Sequence, residues 1–556
     1  GGDSIGCIQI AGMTREANLT ISPNHIFEHP TIAALAAAMS SGLKTNAEQG
    51  AVTGAVPLTP IQHWFFELRN PNPSHWNQSV MLQANEPVDI EIFRLAVEAL
   101  CEQNDMLRAR FRIEGGAWTQ HIVEHSGAAP IQEFDLTVTP RADLEEKQRA
   151  CAAQVQASLD IERGPVLRFG IMKRGSQPDL IVAALHHLVV DAVSWRAVLD
   201  DLDRAYELAY RGKPITFPPK TTSYKYWANR LRAIADDAAL RADFDYWRKR
   251  KRVARLPMEN RGPNTVESSE SFVISLDASK AAALIDGSQY GHGAQLLDVM
   301  VTALAESLGE WTKQEHVAIN LEFHGRDHAF DDVDLSRTAG WFTSVFPVHV
   351  ALGDGQVVSS RFQQIADQLH EARRHGQSYG LLRYVARNAH SNSEMLPPLS
   401  DISLNYMGAL DRLATPGKWF TPSSPMEGTS RNYCAESIRP CSIEVNGFSD
   451  AAGVHFHWTF SKNIHAKETV ERVATDISLP VNIAFVPNPS SEPNAPLAYV
   501  SKFHEGVAVL RRDGIVRSLI HSVLNFVPSA EDFPGTAENG VIGIAVDPAN
   551  ENLYIT

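Results

Sequence analysis

The chain has 556 residues, of which 44% are hydrophobic and 21% charged, with a formal net charge of −15 at pH 7. That length excludes a single core, and the ordinary apolar content excludes long disordered regions. The acidic balance argues against nonspecific binding to a phosphate backbone, because the overall field would repel it.

The opening Gly1-Gly2-Asp3-Ser4-Ile5 starts an apolar-periodic stretch, Ser22-Pro23-Asn24 caps a further helix, and an alanine-rich helix runs from Ile32 to Met39. Residues 1–43 therefore read as a small helical unit. Residues 44–56 lack a periodic apolar face and read as a linker. From 57 to 475, apolar strands alternate with amphipathic helices, including those around 92–108, 142–159 and 362–370. This pattern predicts an α/β architecture of two lobes, about 57–220 and 221–475.

Within the first lobe, Leu180 to Leu185 is nearly continuous apolar sequence, as in a strand covered on both faces. Trp195, Leu199, Leu202, Tyr206 and Ala209 then recur at helical spacing. His186, His187 and Asp191 thus occupy a strand-to-helix connection, a common place for functional side chains. In the second lobe, alternation along 317–323 puts Val317, Ile319, Leu321 and Phe323 on one face and Ala318, Asn320 and Glu322 on the other. Glu322 is expected to leave its strand away from the main core, with Arg326 as one possible ion-pair partner. His455 and His457 share one side of an alternating strand without a third ligand, so no metal centre is expected.

After 476, proline and asparagine become frequent and helical periodicity disappears, with short strands at 497–500, 507–510 and 541–546. Residues 476–556 are expected to be all-β. The basic run from Arg248 to Arg255 reads as a solvated helix end. Five cysteines without a C-x-x-C pair fit a reducing cytoplasm, and neither a long apolar run nor a signal-like N-terminus points to a membrane or to export.

Two groups of motifs carry a family resemblance. Gly1-Gly2-Asp3-Ser4-Ile5, followed by Ser22-Pro23-Asn24-His25-Ile26-Phe27-Glu28-His29-Pro30-Thr31-Ile32, resembles the peptidyl carrier domains of nonribosomal peptide synthetases. The resemblance implies a covalent 4'-phosphopantetheine on Ser4, its phosphate near a helix N-terminus. Further on, Pro60-Ile61-Gln62-His63-Trp64-Phe65, the run His186 to Trp195, Asn320 to Asp327, Arg337 to Pro347, Gly376 to Gly380 and Leu404 to Gly408 occur in order. Together they resemble an epimerization domain of these synthetases, in the condensation-domain superfamily, built from two chloramphenicol-acetyltransferase-like lobes.

That resemblance implies that His187 and Glu322 face each other across a tunnel between the lobes and carry the chemistry. His186, Asp191, Arg326 and Tyr406 would support them: His186 and Asp191 by orienting the connection through hydrogen bonds or an ion pair, with Arg326 and Arg337 as possible partners, and Tyr406 by either placing a phenol near an enolate or filling the core. The implied reaction inverts the α-carbon of an aminoacyl or peptidyl thioester on a carrier arm. The implied partners are the neighbouring adenylation, carrier and condensation domains. Inversion needs groups on both sides of the carbon, to remove a weakly acidic proton and to return one from the opposite face.

The sequence departs from the family pattern at Ala192 and Phe323, where glycine is usual, and at Asp327, where glutamate is usual. A condensation domain shares the His-His-x-x-x-Asp run but joins two carrier-bound acyl groups; Glu322 in its His-Gly-Arg setting and the Asn-Tyr-Met-Gly motif argue against it. A carrier-docking module without activity is a further alternative. The stretches 479–485, 506–514 and 533–548 resemble the opening of glucose/sorbosone dehydrogenase propellers, which raises a quinoprotein fragment as a remote alternative.

Overall fold

The computed structural model describes residues 47–475 apart from short stretches at 126–127, 239, 279–295 (except 281), 327–329, 331, 353–357, 410–415 and 424–431. Outside that span it describes little beyond the helix Ile32–Ala38 and the backbone of strands between 482 and 555.

The first lobe starts with helix α1 (Pro60–Glu67), where Thr59 and Gln62 form a capping box. Strand β1 (Asn77–Ala84) pairs antiparallel with β4 (Leu180–His186), which pairs antiparallel with β3 (Leu167–Lys173); β2 (Ile131–Asp135) completes that side in parallel to β3. The sheet has helices on both faces. Phe93 and Val97 of α2 (Ile90–Gln103) join Val198 and Leu202 of α4 (Ala192–Tyr210) against Ile181, Ala183 and Leu185. Ala152 and Val155 of α3 (Leu144–Gln156) cover Val182 and Ala184 on the other side. This two-sided cover explains why β4 is apolar throughout rather than alternating, and every residue of it is buried. Helix α5 (Tyr224–Ile234) also packs into this cluster through Tyr224, Trp227 and Leu231, so the first body of packing runs past residue 220.

The second lobe holds a six-stranded sheet in the order β7-β6-β8-β10-β11-β5. Its strands are β5 (Ser269–Asp277), β6 (His316–Phe323), β7 (Ser344–Ala351), β8 (Ile402–Ala409), β10 (Ile443–Asp450) and β11 (Gly453–Ser461). β6, β8 and β10 run parallel to one another. Helices α6 (Leu296–Thr312), α7 (Val358–Gly380) and α8 (Lys467–Thr475) cover one face. Leu304, Leu308, Ile365, Leu369 and Val470 there bury Val317, Ile319 and Leu321.

The lobes are stitched by a late stretch of chain. Strand β9 (Phe420–Pro422) leaves the second lobe and pairs antiparallel with β1, extending the first sheet. The return segment bridges back, with Trp76 opposite Tyr433 and the Asn77 N–H donating to Asn432 O at 2.8 Å. Beyond 482, strands at Asn482–Phe485, Pro496–Lys502, Gly506–Arg511 and Val516–Ile520 form an antiparallel meander, and Ile544–Val546 pairs with Leu553–Ile555.

One glycine is required by geometry. Gly325, in the turn leaving β6, has φ +63°, and a Cβ there would sit 1.7 Å from the Phe342 carbonyl oxygen. Both the left-handed backbone and the close approach reject a larger residue. Gly325→Ala is expected to lower stability by at least about 2 kcal/mol, measured by urea unfolding of the full chain. A loss within experimental error would mean that this turn relaxes freely.

Candidate active site

The strand-to-helix connection places three side chains. His186 ends β4 fully buried: its Nε2–H donates to Pro73 O at 2.8 Å, its Nδ1 accepts from the Leu188 N–H, and burial pushes its pKa down to about 3. It is a neutral brace for the turn. His187 follows in a short 3-10 turn, where its Nδ1–H donates to Val190 O at 2.8 Å and its ring stacks on Trp341 with centroids 4.2 Å apart. Burial lowers its pKa, so the ring is neutral near pH 7. Asp191 caps α4, its Oδ1 accepting from the Ser194 N–H at 2.8 Å.

The second lobe reaches this turn through Arg326. Its Nη2 donates to Asp191 Oδ1 and to Ser194 Oγ, both at 2.9 Å, and its Nη1 donates to the carbonyls of Leu335 and Thr338. The guanidinium also lies over the Phe342 ring, 4.0 Å from its centroid. Asp191 Oδ2 accepts the Phe342 N–H, while Ser194 Oγ donates to Gly340 O and accepts from the Gly340 N–H. Arg326 therefore pairs with Asp191 across the lobes rather than with Glu322, and Arg337 pairs instead with Asp201.

Glu322 lies on the face of the second sheet opposite the helices, together with Asn320, Ser403 and Glu444 by strand register. The residue retains a partial opening, but its carboxyl is enclosed by protein. Burial first, and the nearby Glu444 carboxyl second, push its pKa up to about 7. Glu444 is raised by burial as well, and Arg439 opposes that rise with a 3.2 Å ion pair. Tyr433 lies within electrostatic reach of both carboxyls; burial and these two charges raise its phenol.

A chain of neighbours leads from His187 toward the second lobe. The His187 N–H donates to Trp76 O at 2.9 Å, the Trp76 ring meets Tyr433 with centroids 4.5 Å apart, and the Tyr433 phenol is within electrostatic reach of Glu444 and Glu322. A cleft open to solvent is lined by Trp64, Trp341, Phe342, Val345 and Tyr384; neither His187 nor Glu322 is among its lining residues. Trp341 is the residue stacked on His187, and Val345 is the β7 residue registered opposite Glu322.

Tyr406 turns to the helix side of the sheet, where its ring lies near Gly447 alongside Met300 and Phe456, and its hydroxyl is 3.4 Å from Ser449 Oγ. It fills the core on the face opposite Glu322, as alternation along β8 requires, so it is not a phenol at the reacting carbon. Phe323 also points to the helix side, stacked on Phe346 at 5.5 Å with Arg373 over its ring, and leaves the Glu322 face unobstructed. Ser4 lies outside the described residues, as do Asp327 and the region around the N-terminal motif. Among the described residues, no group of three or more His, Cys, Asp or Glu side chains is arranged to hold a metal, and no helix is long and apolar enough to cross a membrane. The four described cysteines are free thiols.

Sequence reading missed Gln78, Trp341, Tyr433 and Glu444. Trp341 and Glu444 stand in strongly patterned sequence. Tyr433 and Gln78 acquire meaning only from pairings between strands distant in the chain.

The family profile for the condensation domain matches residues 52–491, and the profile for a phosphopantetheine attachment site matches residues 1–39. The chain belongs to the condensation-domain family. A linear gramicidin synthase of Brevibacillus parabrevis is 39% identical over 479 residues, covering 85% of this chain and 9% of that protein. Chondramide synthase of Chondromyces crocatus is 35% identical over 490 residues, covering 86% and 12% respectively. The chain thus spans about a tenth of the length of these relatives. Among solved structures, the epimerization domain from the third module of tyrocidine synthetase B superposes with a TM-score of 0.69 at 28% identity, covering 78% of this chain and 96% of that one. The X-domain from teicoplanin biosynthesis superposes with a TM-score of 0.62 at 18% identity and shares the fold. The propeller resemblance of the tail finds no support, because the condensation match itself continues past 475 to residue 491.

The Asp191–Arg326 pair is almost fully enclosed, so removing one partner strands the other. Arg326→Ala is expected to cost about 3 to 5 kcal/mol in urea unfolding of the full chain. Combining it with Asp191→Asn should recover part of that loss. A loss in the double variant equal to the sum of the two single losses would show that the pair is not coupled.

Proposed function

We propose that residues 57–475 of this domain epimerize an aminoacyl or peptidyl thioester, presented on a phosphopantetheine arm, between the L and D forms at its α-carbon. The observation that carries the reading is Glu322: a carboxyl enclosed by protein, with a pKa lifted to about 7, on the sheet face turned away from the helices and within electrostatic reach of Tyr433. A carboxyl near neutrality can hold or release a proton at working pH, as stereochemical inversion demands. The likeness to the tyrocidine synthetase epimerization domain supports the same reading.

The Ser4 hydroxyl within Gly-Gly-Asp-Ser has the chemistry to form the phosphodiester to the arm, and the attachment-site match covers it. Once attached, that arm supplies a thioester, which acidifies the α-proton. One of the pair Glu322 and His187 accepts that proton as the α C–H bond breaks and its electron pair moves toward the thioester carbonyl. The other delivers a proton to the opposite face, and solvent restores the starting protonation. Asp191, His186 and Arg326 hold the turn and the lobes without touching the reacting carbon.

The test uses the full chain with Ser4 carrying an L-aminoacyl phosphopantetheine, incubated in deuterated water. Expected are deuterium uptake at the α-carbon and appearance of the D isomer. Both should fall by about 10²-fold or more in Glu322→Gln and in His187→Ala. The rate should follow a bell-shaped pH profile whose alkaline limb lies near pH 7, where Glu322 loses the proton that the pair must share. Amide formation with a second loaded carrier, without exchange, would instead establish the peptide-bond-forming activity of the wider family.

The same shift has a stability consequence. The Glu322 pKa in the folded chain lies above its ordinary value of 4.5, so its contribution is present below about pH 4.5 and is lost as pH rises through about 7. Glu322→Gln removes that loss. Above pH 7 the variant is expected to be more stable than the parent by roughly 2 kcal/mol, and at pH 4 the two should coincide. A difference between variant and parent that is the same at pH 4 and above pH 7 would contradict the raised pKa.

A further inference from the structure

Around His187 a hydrogen-bond relay can be oriented without ambiguity. The Trp195 indole Nε1 can only donate, and it lies 2.8 Å from Gln78 Oε1. This fixes which way the Gln78 amide faces, so its NH₂ group points to His187 Nε2 at 3.1 Å. A donor opposite Nε2 requires a lone pair there. On the other side of the ring, Nδ1 lies 2.8 Å from the Val190 carbonyl, which can only accept, so Nδ1 carries the proton. Two independent contacts, one at each nitrogen, therefore demand the same neutral tautomer.

From this geometry we infer that Gln78 is a positioning residue, which with Trp195 as its anchor holds His187 as the Nδ1–H tautomer with an unprotonated Nε2. This goes beyond the proposed reaction and, where it concerns activity, rests on it. The ring has little other freedom, because Trp341 stacks on it at 4.2 Å. The titratable and charged groups around it are Asp191 on the following turn, Arg326 paired to Asp191, the neutral His186 and, beyond His186, His75. Asp191 favours a charged ring but is engaged by Arg326 and by the α4 cap, whereas Gln78 faces Nε2 directly. A proton arriving at Nε2 meets the Gln78 amide donors head on, so the ring must displace Gln78 to accept it. The resting site thus holds His187 as the proton acceptor of the pair and leaves Glu322 as the group that holds the proton. When His187 takes the α-proton, its Nε2–H bond forms as the substrate C–H bond breaks, and Glu322 O–H supplies the balancing proton on the opposite face.

Gln78→Glu is close in shape and keeps an acceptor for Trp195, but it replaces the amide donor at Nε2 with a carboxylate. The measurement is ¹⁵N and ¹³C NMR of the full chain with labelled histidine, the His187 signals assigned by their absence in His187→Ala. The parent should show the neutral Nδ1–H tautomer with a titration midpoint below pH 6.5. Gln78→Glu should raise that midpoint by about one pH unit or more. Trp195→Phe frees the amide to turn over and should move the midpoint in the same direction by a smaller amount, which keeps the test decisive if the first variant folds poorly. In the epimerization assay, Gln78→Glu should lower kcat with little change in KM and displace the acid limb of the pH profile upward. An Nε2–H tautomer in the parent, or a Gln78→Glu midpoint coinciding with the parent, overturns the inference. The spectroscopic readout is independent of turnover. The predicted tautomer without deuterium exchange would therefore uphold the role of Gln78 and reject the epimerase reading alone.

Discussion

The Arg326 guanidinium, buried between the lobes, bonds at once to Asp191 and Ser194 of the first lobe and to the carbonyls of Leu335 and Thr338 in the segment that crosses the seam. Every other element of the site is referred to this junction. Asp191 orients α4 and the turn that carries His187; Phe342, held by Asp191 Oδ2 and lying under the guanidinium, follows Trp341, which stacks on the imidazole. Four residues before Arg326, Glu322 leaves the sheet on the opposite face from its core. An enclosed ion pair is worth little as net stability, since desolvation offsets most of the attraction. Its value here is geometric: two independently packed cores, one per lobe, are held in one register.

The second organising feature is an opposed shift of two proton-binding groups by burial. Enclosure disfavours charge on either side chain, so it pushes the carboxyl up and the imidazole down. The ordinary separation of a carboxylate from an imidazole is about two units, with the carboxylate the stronger acid. Burial in this fold narrows that separation from both sides. In the proposed reaction the proton rests on the carboxyl, the arrangement that the inferred Gln78 relay favours independently through hydrogen-bond polarity. Glu444 adds to the rise at Glu322 while Arg439 favours the charged form of Glu444, so the two carboxyls are not equivalent.

Much of this was legible from local pattern. Unbroken apolar sequence at 180–185 followed by helical spacing from Trp195 marks the strand and helix that hold His187, because two-sided cover and one-sided cover leave different periods. Alternation along 317–323 separates Glu322 from the core, and the same rule sends Phe323 and Tyr406 to the helix side. What could not be read was long-range. The partnership of Gln78 with His187 depends on β1 pairing with β4, about a hundred residues later in the chain, and the position of Tyr433 depends on a crossing segment with no periodicity. The lobe boundary shifts for a similar reason, since α5 and β9 lie in the sequence expected for the second lobe but pack with the first. The tail's short strands resembled the opening of a propeller because alternating strands and turns carry little family information by themselves.

The most direct test of the account is a crystal structure of the full chain with Ser4 carrying a nonhydrolysable aminoacyl pantetheine amide. The account predicts the α-carbon in the cleft between the lobes, with the Glu322 carboxyl and His187 Nε2 approaching it from opposite faces and Arg326 still bonded to Asp191. An α-carbon that contacts one of these two groups while the other faces a separate cavity would contradict it.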